Sequence, residues 1–218
     1  MAEIAAAEGL LSPFDLHGLQ LKNRIVMAPM TRARAGEERL ANPLMAEYYS
    51  QRASAGLIIT EGTVISEQAI GWLNSPGIYT DQQAEAWRQV VDALHARGTP
   101  VFLQLWHCGR ASHSSFRENR RPGVAPSAIP ISRGHIQTPL SKQPHEIPRE
   151  LQTDEVPAIV ADYRRADLIS FGQPFISNPD LVERFANGWP LNPPADKKIW
   201  YSFDPVGYTD FPRYEPSG

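Results

Sequence analysis

The chain has 218 residues, of which 42% are hydrophobic, a length that suits one globular domain and is short for two. Its 24 acidic and 21 basic residues give a net charge of −3, which argues against nucleic acid and anionic membranes as partners. Cys108 is the single cysteine, so an intrachain disulfide and a zinc cluster of several thiolates are excluded. The N-terminal stretch has neither a secretory signal pattern nor a membrane span, and these features together favour the cytoplasm.

The first half of the chain predicts a hairpin followed by strands. Residues 14–21 alternate apolar and polar positions around His17–Gly18, which predicts a hairpin outside the main sheet, because glycine supplies a positive φ angle that a tight turn needs. Apolar runs predict strands buried as in a parallel sheet at residues 23–30, 57–60 and 100–106.

Helices are predicted between these strands. The first begins at Asn42–Pro43 and ends at Ala55–Gly56, and the second begins at the N-cap Thr80 and ends at Gly98. Their predicted apolar faces comprise Leu44, Met45 and Tyr48 in the first helix and Trp87, Val90, Val91 and Leu94 in the second. The alternation of strands and helices predicts right-handed crossovers and a parallel sheet, hence an α/β fold.

The second half is less regular. Residues 107–152 predict a long, proline-rich polar loop, which in a compact domain is usually functional or disordered. Thr153–Glu155 should then cap a helix with its apolar positions at Val156, Ile159, Val160 and Tyr163. A strand at residues 168–171 and a helix from Pro179 to Gly188 follow.

The passage from the third helix to this strand contains no turn residue between Arg165 and Asp167. The two earlier helix-to-strand passages contain glycine within a connection of ordinary length. One explanation is that the helix ends a turn early, near Asp162, and leaves residues 163–166 as a loop. The other is that sequence once lay between Ala166 and Asp167.

Ligands in a parallel βα sheet bind at the carboxyl ends of the strands. Alternation places the Gln104 carboxamide on the same face as Phe102 and Trp106, where it needs hydrogen-bond partners. A flavin pyrimidine edge would offer both donors and acceptors, and so would neighbouring backbone. The four strand ends carry small, polar or aromatic groups suited to a planar heterocycle and comprise residues 28–31, 61–63, 104–107 and 171–173.

Each further candidate has a structural alternative. Thr31 could bind a ring carbonyl or cap a turn, Gly62 could admit a flat ring or permit a turn, and Trp106 could wall a substrate pocket or join the core. Gly172 and Gln173 lead into a capped helix, the arrangement by which barrels bind phosphate, and the chain has no Rossmann or P-loop fingerprint. Tyr208 lies in an aromatic tail that could pack across the sheet end or reach over a site.

No metal site is predicted, because His107, Cys108 and His113 do not have the spacing of metal ligands.

Five segments resemble the Old Yellow Enzyme family of FMN-dependent ene-reductases. They occur in family order from about Leu11 to Tyr214 and read NRIVMAPMTRARA, EGTVISEQAIGWLNSPGIYTDQQ, VFLQLWHCGRAS, FISNPDL and GYTDFP. The resemblance implies a TIM-type βα barrel with FMN at its carboxyl-terminal mouth. It also implies hydride transfer from NADPH or NADH through the flavin to a small activated alkene.

The resemblance also implies roles for single residues. Ala28, Pro29, Met30 and Thr31 would line the flavin, Gly62 would lie near its ring, and Gln104 would bind the pyrimidine edge. Gly172 and Gln173 would contact the phosphate, while Thr31, Trp106 and Tyr208 would shape the substrate pocket or tune the flavin.

Two departures from the family pattern matter. Gln173 stands where the family usually has arginine, and a charge-assisted contact to phosphate is worth roughly 1.5–3 kcal/mol, so FMN should bind more weakly. Members of the family also have several more strands at the position where Ala166 is joined directly to Asp167 in this chain. Those strands carry the substrate-binding His and Asn or His pair, the proton-donor Tyr, a flavin-contacting Arg and a glycine-rich phosphate strand. The predicted fold is therefore a single, incomplete barrel over residues 1–218, with strands one to three and the last one, joined at 166/167.

Two functional hypotheses follow. The chain is an FMN-dependent oxidoreductase, or it is a catalytically impaired remnant that binds a partner or is unstable. Four strands cannot close around a core in the manner of an eight-stranded barrel and would leave open edges. A pair of chains could close one barrel, which predicts a homo-oligomer.

Overall fold

The computed structural model describes residues 9–164, 177–180, 183–184, 187–193 and 211–215. The chain divides into two compact units, Met1–Asp167 and Leu168–Gly218, and each is considered by itself. Within the described residues, no helix is long and apolar enough to cross a membrane.

A hairpin opens the first unit. Strands β1 (Phe14–Leu16) and β2 (Leu19–Leu21) pair antiparallel and form a sheet of their own. His17 and Gly18 have φ angles of 49° and 95°, the positive values that a two-residue turn of this kind requires. The Asp15 carboxylate also accepts a hydrogen bond from the Gly18 amide. The predicted hairpin is confirmed.

Two short parallel sheets form the centre of the first unit. Their strands are β3 (Val26–Met27), β4 (Leu57–Ile59), β5 (Thr63–Val64), β6 (Val101–Phe102) and β7 (Leu105–Trp106). The strands β3, β4 and β6 are parallel neighbours in that order, and β5 pairs in parallel with β7. The predicted parallel arrangement of the three strand segments is confirmed.

Two details of the strand prediction were wrong. Ile25 and Val26 are each 44% exposed rather than buried, because β4 is the single described neighbour of β3. Residues 100–106 form two short strands rather than one, because the Gln104 amide donates to the Thr60 hydroxyl (3.2 Å) instead of to a carbonyl of the ladder. Gln104 is exposed, so its carboxamide is not buried against the sheet.

Helices α1 (Pro43–Ser50) and α2 (Asp81–His95) begin where the sequence predicts. The Asn42 side chain accepts from the Met45 amide, and Thr80 forms a reciprocal capping box with Gln83. The predicted end of α1 was wrong, because the helix ends at Ser50. Of its predicted apolar face, Met45 is buried and Tyr48 packs against the core, whereas Leu44 is 59% exposed because the helix turns its Met45–Tyr49 side to the core.

Two apolar clusters hold the unit together. The larger cluster lies between the helices and the sheet and comprises Ala35, Ala41, Met45, Tyr49, Ala53, Ala55, Ile58, Trp87, Val90 and Leu94. The predicted core positions Trp87, Val90 and Leu94 are thereby confirmed. The smaller cluster follows the carboxyl end of β5 and comprises Val64, Ile65, Ala69 and Ile70.

The predicted loop at residues 107–152 contains regular structure. Its short strands are β8 (Val124–Ala125), β9 (His135–Gln137), β10 (Lys142–Pro144) and β11 (Arg149–Glu150). The strands β8 and β11 are parallel, and β9 and β10 form a hairpin. The loop prediction was wrong here because strands of two or three residues are too short to show a hydrophobic period.

Helix α3 (Val156–Tyr163) follows a 3₁₀ turn at Thr153–Glu155. Its capping box joins Gln152 and Glu155, and Tyr163 is helical and packs against the smaller cluster. The first explanation of the missing turn has the helix end near Asp162 and leaves residues 163–166 as a loop. The helix instead ends at Tyr163, so Tyr163 does not lie in a loop. The 166/167 junction and the strand predicted at 168–171 lie outside the described residues.

In the second unit, a buried ion pair ties the tail to the preceding helical segment. The Arg184 Nε lies 2.6 Å from the Asp180 Oδ1, and the Asp180 Oδ2 accepts from the Tyr214 amide. Arg184 also donates to the Pro212 carbonyl (3.1 Å). Gly188 has a φ angle of 66°, and the Trp189 amide donates to the Arg184 carbonyl, as at a helix end closed by glycine.

Candidate functional site

The carboxyl ends of β3, β4 and β6 meet at one edge of the parallel sheet. Ala28, Pro29, Met30 and Thr31, which follow β3, are all exposed there. Their side chains are therefore open to a ligand at the edge where βα sheets bind one.

Gly62, which lies between β4 and β5, is directly beneath an aromatic ring. A Cβ atom at this position would lie 2.5 Å from Cε3 of Trp106, which is closer than carbon atoms approach. Glycine is therefore required for the observed packing. In this structure the flat ring at Gly62 is the indole of Trp106, and the predicted flavin contact of Gly62 stays a prediction.

Trp72 extends this aromatic surface, although it was not predicted from the sequence. Its ring centroid lies 6.5 Å from that of Trp106 with an interplanar angle of 41°, and its side chain is 52% exposed. Trp72 follows the 3₁₀ turn Glu67–Ala69 in the connection after β5. A tryptophan directly after Gly71 in a loop at the carboxyl edge was the signal that could have revealed it.

Gln104 is exposed at the same edge. Its backbone is held by the Thr60 hydroxyl and by its carbonyl, which accepts from the Thr63 amide (2.8 Å). Its carboxamide has no hydrogen-bond partner within the described part of the chain. The group therefore has both a donor and an acceptor available to a ligand.

A buried carboxylate organises the loop after β3. Glu61 is 1% exposed, and its Oε2 accepts from the backbone amides of Arg32 and Ala33, each at 2.9 Å. The Tyr49 hydroxyl accepts from the Glu61 amide (2.9 Å) and donates to its Oε1 (3.5 Å). Burial raises the pKa of Tyr49 well above its usual range, and the charge of Glu61 raises it further.

This network links α1, the end of β4 and the residues that follow Thr31. From the sequence alone, Glu61 is predicted to lie at a strand end and has no assigned role. An acidic residue at the end of a buried apolar strand was the available signal, because a buried carboxylate needs hydrogen-bond donors.

The residues 107–113 form a packed turn rather than a cluster of ligands. Burial raises the pKa of the Cys108 thiol to about 12, so the thiol stays protonated at neutral pH. Burial, and then the charge of Arg117, lower the pKa of His107. Among the described residues, no three His, Cys, Asp or Glu side chains are placed so that they could hold a metal ion.

Three predicted site residues, Gly172, Gln173 and Tyr208, lie outside the described residues. Their contacts with phosphate and substrate stay predictions. The structure thus brings together the predicted residues of the first three strand ends, namely Ala28, Pro29, Met30, Thr31, Gly62, Gln104 and Trp106.

The chain matches relatives over most of its length. A putative 12-oxophytodienoate reductase 2 of Oryza sativa subsp. japonica is 47% identical over 158 residues, which are 72% of this chain and 40% of that protein. Chanoclavine-I aldehyde reductase of Penicillium roqueforti (strain FM164) is 41% identical over 161 residues, 72% of this chain and 41% of that protein. The matched part of the chain thus spans about 40% of the length of these curated relatives.

Solved structures similar to this chain are also reductases of this kind or an old yellow enzyme homologue. Morphinone reductase in complex with tetrahydroNAD matches with a TM-score of 0.68 and 27% identity, over 95% of this chain and 98% of that one. The old yellow enzyme homologue from Zymomonas mobilis matches with a TM-score of 0.67 and 26% identity, over 94% and 99%. The model of the NADH:flavin oxidoreductase / NADH oxidase family matches residues 9–166. Because this match covers well over half of the chain, the protein belongs to that family, the Old Yellow Enzyme family.

Proposed function

We propose that the chain is an FMN-dependent oxidoreductase that transfers a hydride from NADPH or NADH to a small activated alkene. One observation carries the proposal. The family match over residues 9–166 includes the strand-end residues 28–31, 62 and 104, whose side chains or backbone lie at one edge of a parallel sheet. The names of the relatives, all reductases, and a neighbour described with tetrahydroNAD support the reaction class and the reductant.

The described residues fit a flavin. The free carboxamide of Gln104 suits the pyrimidine edge, and the exposed Pro29, Met30 and Thr31 offer a largely apolar surface with one hydroxyl. Ala28 and Gly62 would complete this surface, and Gly172 and Gln173 would hold the phosphate. FMN, when bound, supplies the hydride chemistry, and the protein supplies binding and orientation.

Three side chains would shape the space where the substrate binds. Trp106 and the neighbouring Trp72 form an aromatic wall, which suits a flat, conjugated alkene. Tyr208 would overhang this space, and the Thr31 hydroxyl would donate a hydrogen bond to a ring carbonyl of the flavin and so tune it.

The proposed domain organisation is a single, shortened βα barrel over residues 1–218, with the junction at 166/167. The family match ends at residue 166, which supports a junction there. The match to morphinone reductase extends over 98% of that chain, which supports a chain that combines both ends of such an enzyme. The exposed β3 edge at Ile25 and Val26 supports a homo-oligomer in which a second copy pairs with this edge. A cytoplasmic location stays a prediction.

The first test is a titration of FMN into the purified, desalted chain, followed by visible absorbance. We expect binding, and we expect Gln104→Leu to raise the Kd of FMN about tenfold, since it removes hydrogen bonds worth about 1.4 kcal/mol. Gln82→Leu, on the exposed side of α2, is the control and should leave the Kd unchanged. A chain that takes up no FMN rejects the proposal, and equal Kd values for both variants reject the role of Gln104.

The second candidate function, a catalytically impaired flavoprotein, is favoured by the family match ending at residue 166. We expect the FMN-loaded chain to oxidise NADPH but to reduce an enone slowly, because the substrate-binding pair and the proton-donor Tyr are absent from the matched residues. The measurement is the rate of NADPH consumption under nitrogen, with and without cyclohexenone. Enone reduction at rates ordinary for enzymes, about 1–1,000 per second, would contradict the impaired state.

A further inference from the structure

Trp72 is the exposed member of the aromatic pair at the candidate site, and its backbone is held more tightly than its ring. The indole is 52% exposed and lies 6.5 Å from the Trp106 ring. The preceding residue, Gly71, packs so closely that an added Cβ would lie 2.1 Å from the Ala111 carbonyl oxygen. Because solvent covers half of the indole, the direction of the ring depends on the backbone that carries it.

A buried arginine holds the other side of this backbone. Arg39 is 8% exposed, and its Nη1 lies 3.1 Å from the Trp72 carbonyl oxygen and 2.9 Å from both the carbonyl oxygen and the Oγ of Ser75. The hydroxyl of Ser75, itself fully buried, donates to the same Trp72 carbonyl (3.2 Å). The Trp72 carbonyl therefore accepts hydrogen bonds from two buried side chains.

Backbone hydrogen bonds join the loop after β3 to the same turn, residues 72–77. The Gly77 amide donates to the Arg39 carbonyl (2.9 Å), and the Ala35 amide donates to the Asn74 carbonyl (3.0 Å). Arg39 and Asn74 have φ angles of 59° and 53°, in the left-handed region that residues with a Cβ seldom adopt. Such a conformation persists where the surrounding contacts determine it, so the loop and the turn are fixed to each other.

Packing alone does not account for the arginine. Among the described residues, no carboxylate forms an ion pair with Arg39, and the partners of its Nη1 are carbonyl and hydroxyl oxygens. Burying a charge without a counter-ion lowers stability, and an apolar side chain of similar volume would fill the same space without that loss. What the guanidinium adds is a set of directed hydrogen bonds to the turn that carries the exposed indole.

We propose that Arg39 is the positioning residue for Trp72 and keeps the indole beside Trp106 as a wall of the candidate site. It acts through the Trp72 carbonyl, to which its Nη1 donates. The consequence for binding is a preference for alkenes that carry an aromatic ring, because two fixed indoles offer such a ring a preformed surface. This consequence rests on the proposed function, whereas the placement of Trp72 does not.

The first test measures the indole pair in the full chain without flavin. Two indoles at this separation couple their far-ultraviolet transitions and give a circular-dichroism couplet, whose amplitude falls steeply with distance. Comparison of each variant with the same variant carrying Trp72→Phe isolates this couplet. We expect Arg39→Met to lower the amplitude to less than half of the wild-type value and Arg39→Lys to restore part of it. Arg97→Met, at an exposed arginine after α2, is the matched control and should leave the couplet unchanged.

Ser75→Ala guards against a folding defect. It removes one hydroxyl and leaves the hydrogen bonds from Arg39 to the two carbonyl oxygens in place. Its couplet should lie between those of Arg39→Met and the wild type, with an unchanged midpoint of urea unfolding. A couplet of full amplitude in Arg39→Met would overturn the proposal, and so would one in Ser75→Ala if Arg39→Met does not fold.

The second test uses the FMN-loaded chain and two ligands that differ in one ring. Benzylideneacetone carries a phenyl group where ethylideneacetone carries a methyl group, and each is titrated while the visible absorbance of the flavin is followed. We expect Trp72→Ala and Arg39→Met each to lower the preference for benzylideneacetone about fivefold, the size of one aromatic contact. The double variant Arg39→Met/Trp72→Ala should lower it no further, because the arginine acts through the indole. Additive losses in the double variant would overturn the proposal.

The outcomes separate this proposal from the proposed function. If the chain takes up no FMN but the couplet depends on Arg39, the placement of Trp72 by Arg39 stands and the flavin function fails. If FMN binds and the couplet does not depend on Arg39, the flavin function stands and the positioning role fails.

Discussion

Replacing Glu61 with leucine should lower the free energy of unfolding by about 2–4 kcal/mol and weaken FMN binding at least tenfold. Two part-buried backbone amides and one buried hydroxyl lose their acceptor. A fully buried donor left unpaired costs about 1–3 kcal/mol, and the total stays below three times this cost because water can reach the two amides. The Arg32 and Ala33 amides, each 2.9 Å from Oε2, fix the loop directly after Thr31. Loss of these two hydrogen bonds should displace Met30 and Thr31, the predicted flavin contacts. The same substitution should therefore lower stability and weaken flavin binding.

The measurement combines urea unfolding with FMN titration. Glu61→Gln is the matched control, because it has the same size and keeps one oxygen that can accept the two amides. The glutamine variant should lie between the wild type and the leucine variant in both experiments. A leucine variant that matches the glutamine variant in stability and in the Kd of FMN would show that the carboxylate does not position this loop.

Replacing Gly71 with alanine should lower the free energy of unfolding by about 3 kcal/mol or more. The added Cβ would lie 2.1 Å from the Ala111 carbonyl oxygen and 2.5 Å from Cβ of Cys108, and neither atom can rotate out of the way. Overpacking of this kind typically costs about 1–3 kcal/mol, and a backbone contact this close places the cost at the upper end or above it.

Urea unfolding measures this effect, and the reactivity of Cys108 gives a second readout. The buried thiol, whose pKa is raised to about 12, should react slowly with a thiol reagent in the wild type at pH 8. The displaced turn in Gly71→Ala should expose the thiol and speed the reaction. Gly9→Ala, where an added Cβ meets nothing within 4 Å, is the control. If Gly71→Ala unfolds at the same urea concentration as Gly9→Ala, the tight contact of Gly71 with Cys108 and Ala111 is not present in solution.

The local elements of the fold were predictable because neighbouring residues determine them. The His17–Gly18 turn and the caps at Asn42 and Thr80 each depend on contacts within three or four residues, so their signals are contained in short stretches. The core face of α2 was predictable for the same reason, since its apolar residues recur at the helical period. Where α1 ends, and that it buries Tyr49 while Leu44 stays exposed, were not predictable, because the packing of Tyr49 in the core decides them.

The candidate site was predictable as a set of strand ends but not as a network. Parallel strands bring residues 28–31, 62 and 104 to one edge, so the order of strands and helices in the chain was enough to group them. Glu61 and Trp72 were missed, because their importance comes from partners that are distant in sequence, such as the Arg32 amide and the Trp106 ring. The phosphate residues Gly172 and Gln173 stay predictions.

The sequence by itself determined the family, the parallel order of the strands, the caps and the turns, because motifs and periodic patterns are carried by contiguous residues. Only the tertiary structure decided that β3 is exposed at its edge, that Trp106 covers Gly62 and that Glu61 holds the Arg32 loop. Burial and hydrogen-bond partners depend on segments that are distant in sequence and close in space, such as Arg32 and Glu61, which are 29 residues apart, or Gly62 and Trp106. No local sequence pattern specifies such a contact, because the same short segment could form the same strand or turn beside different neighbours.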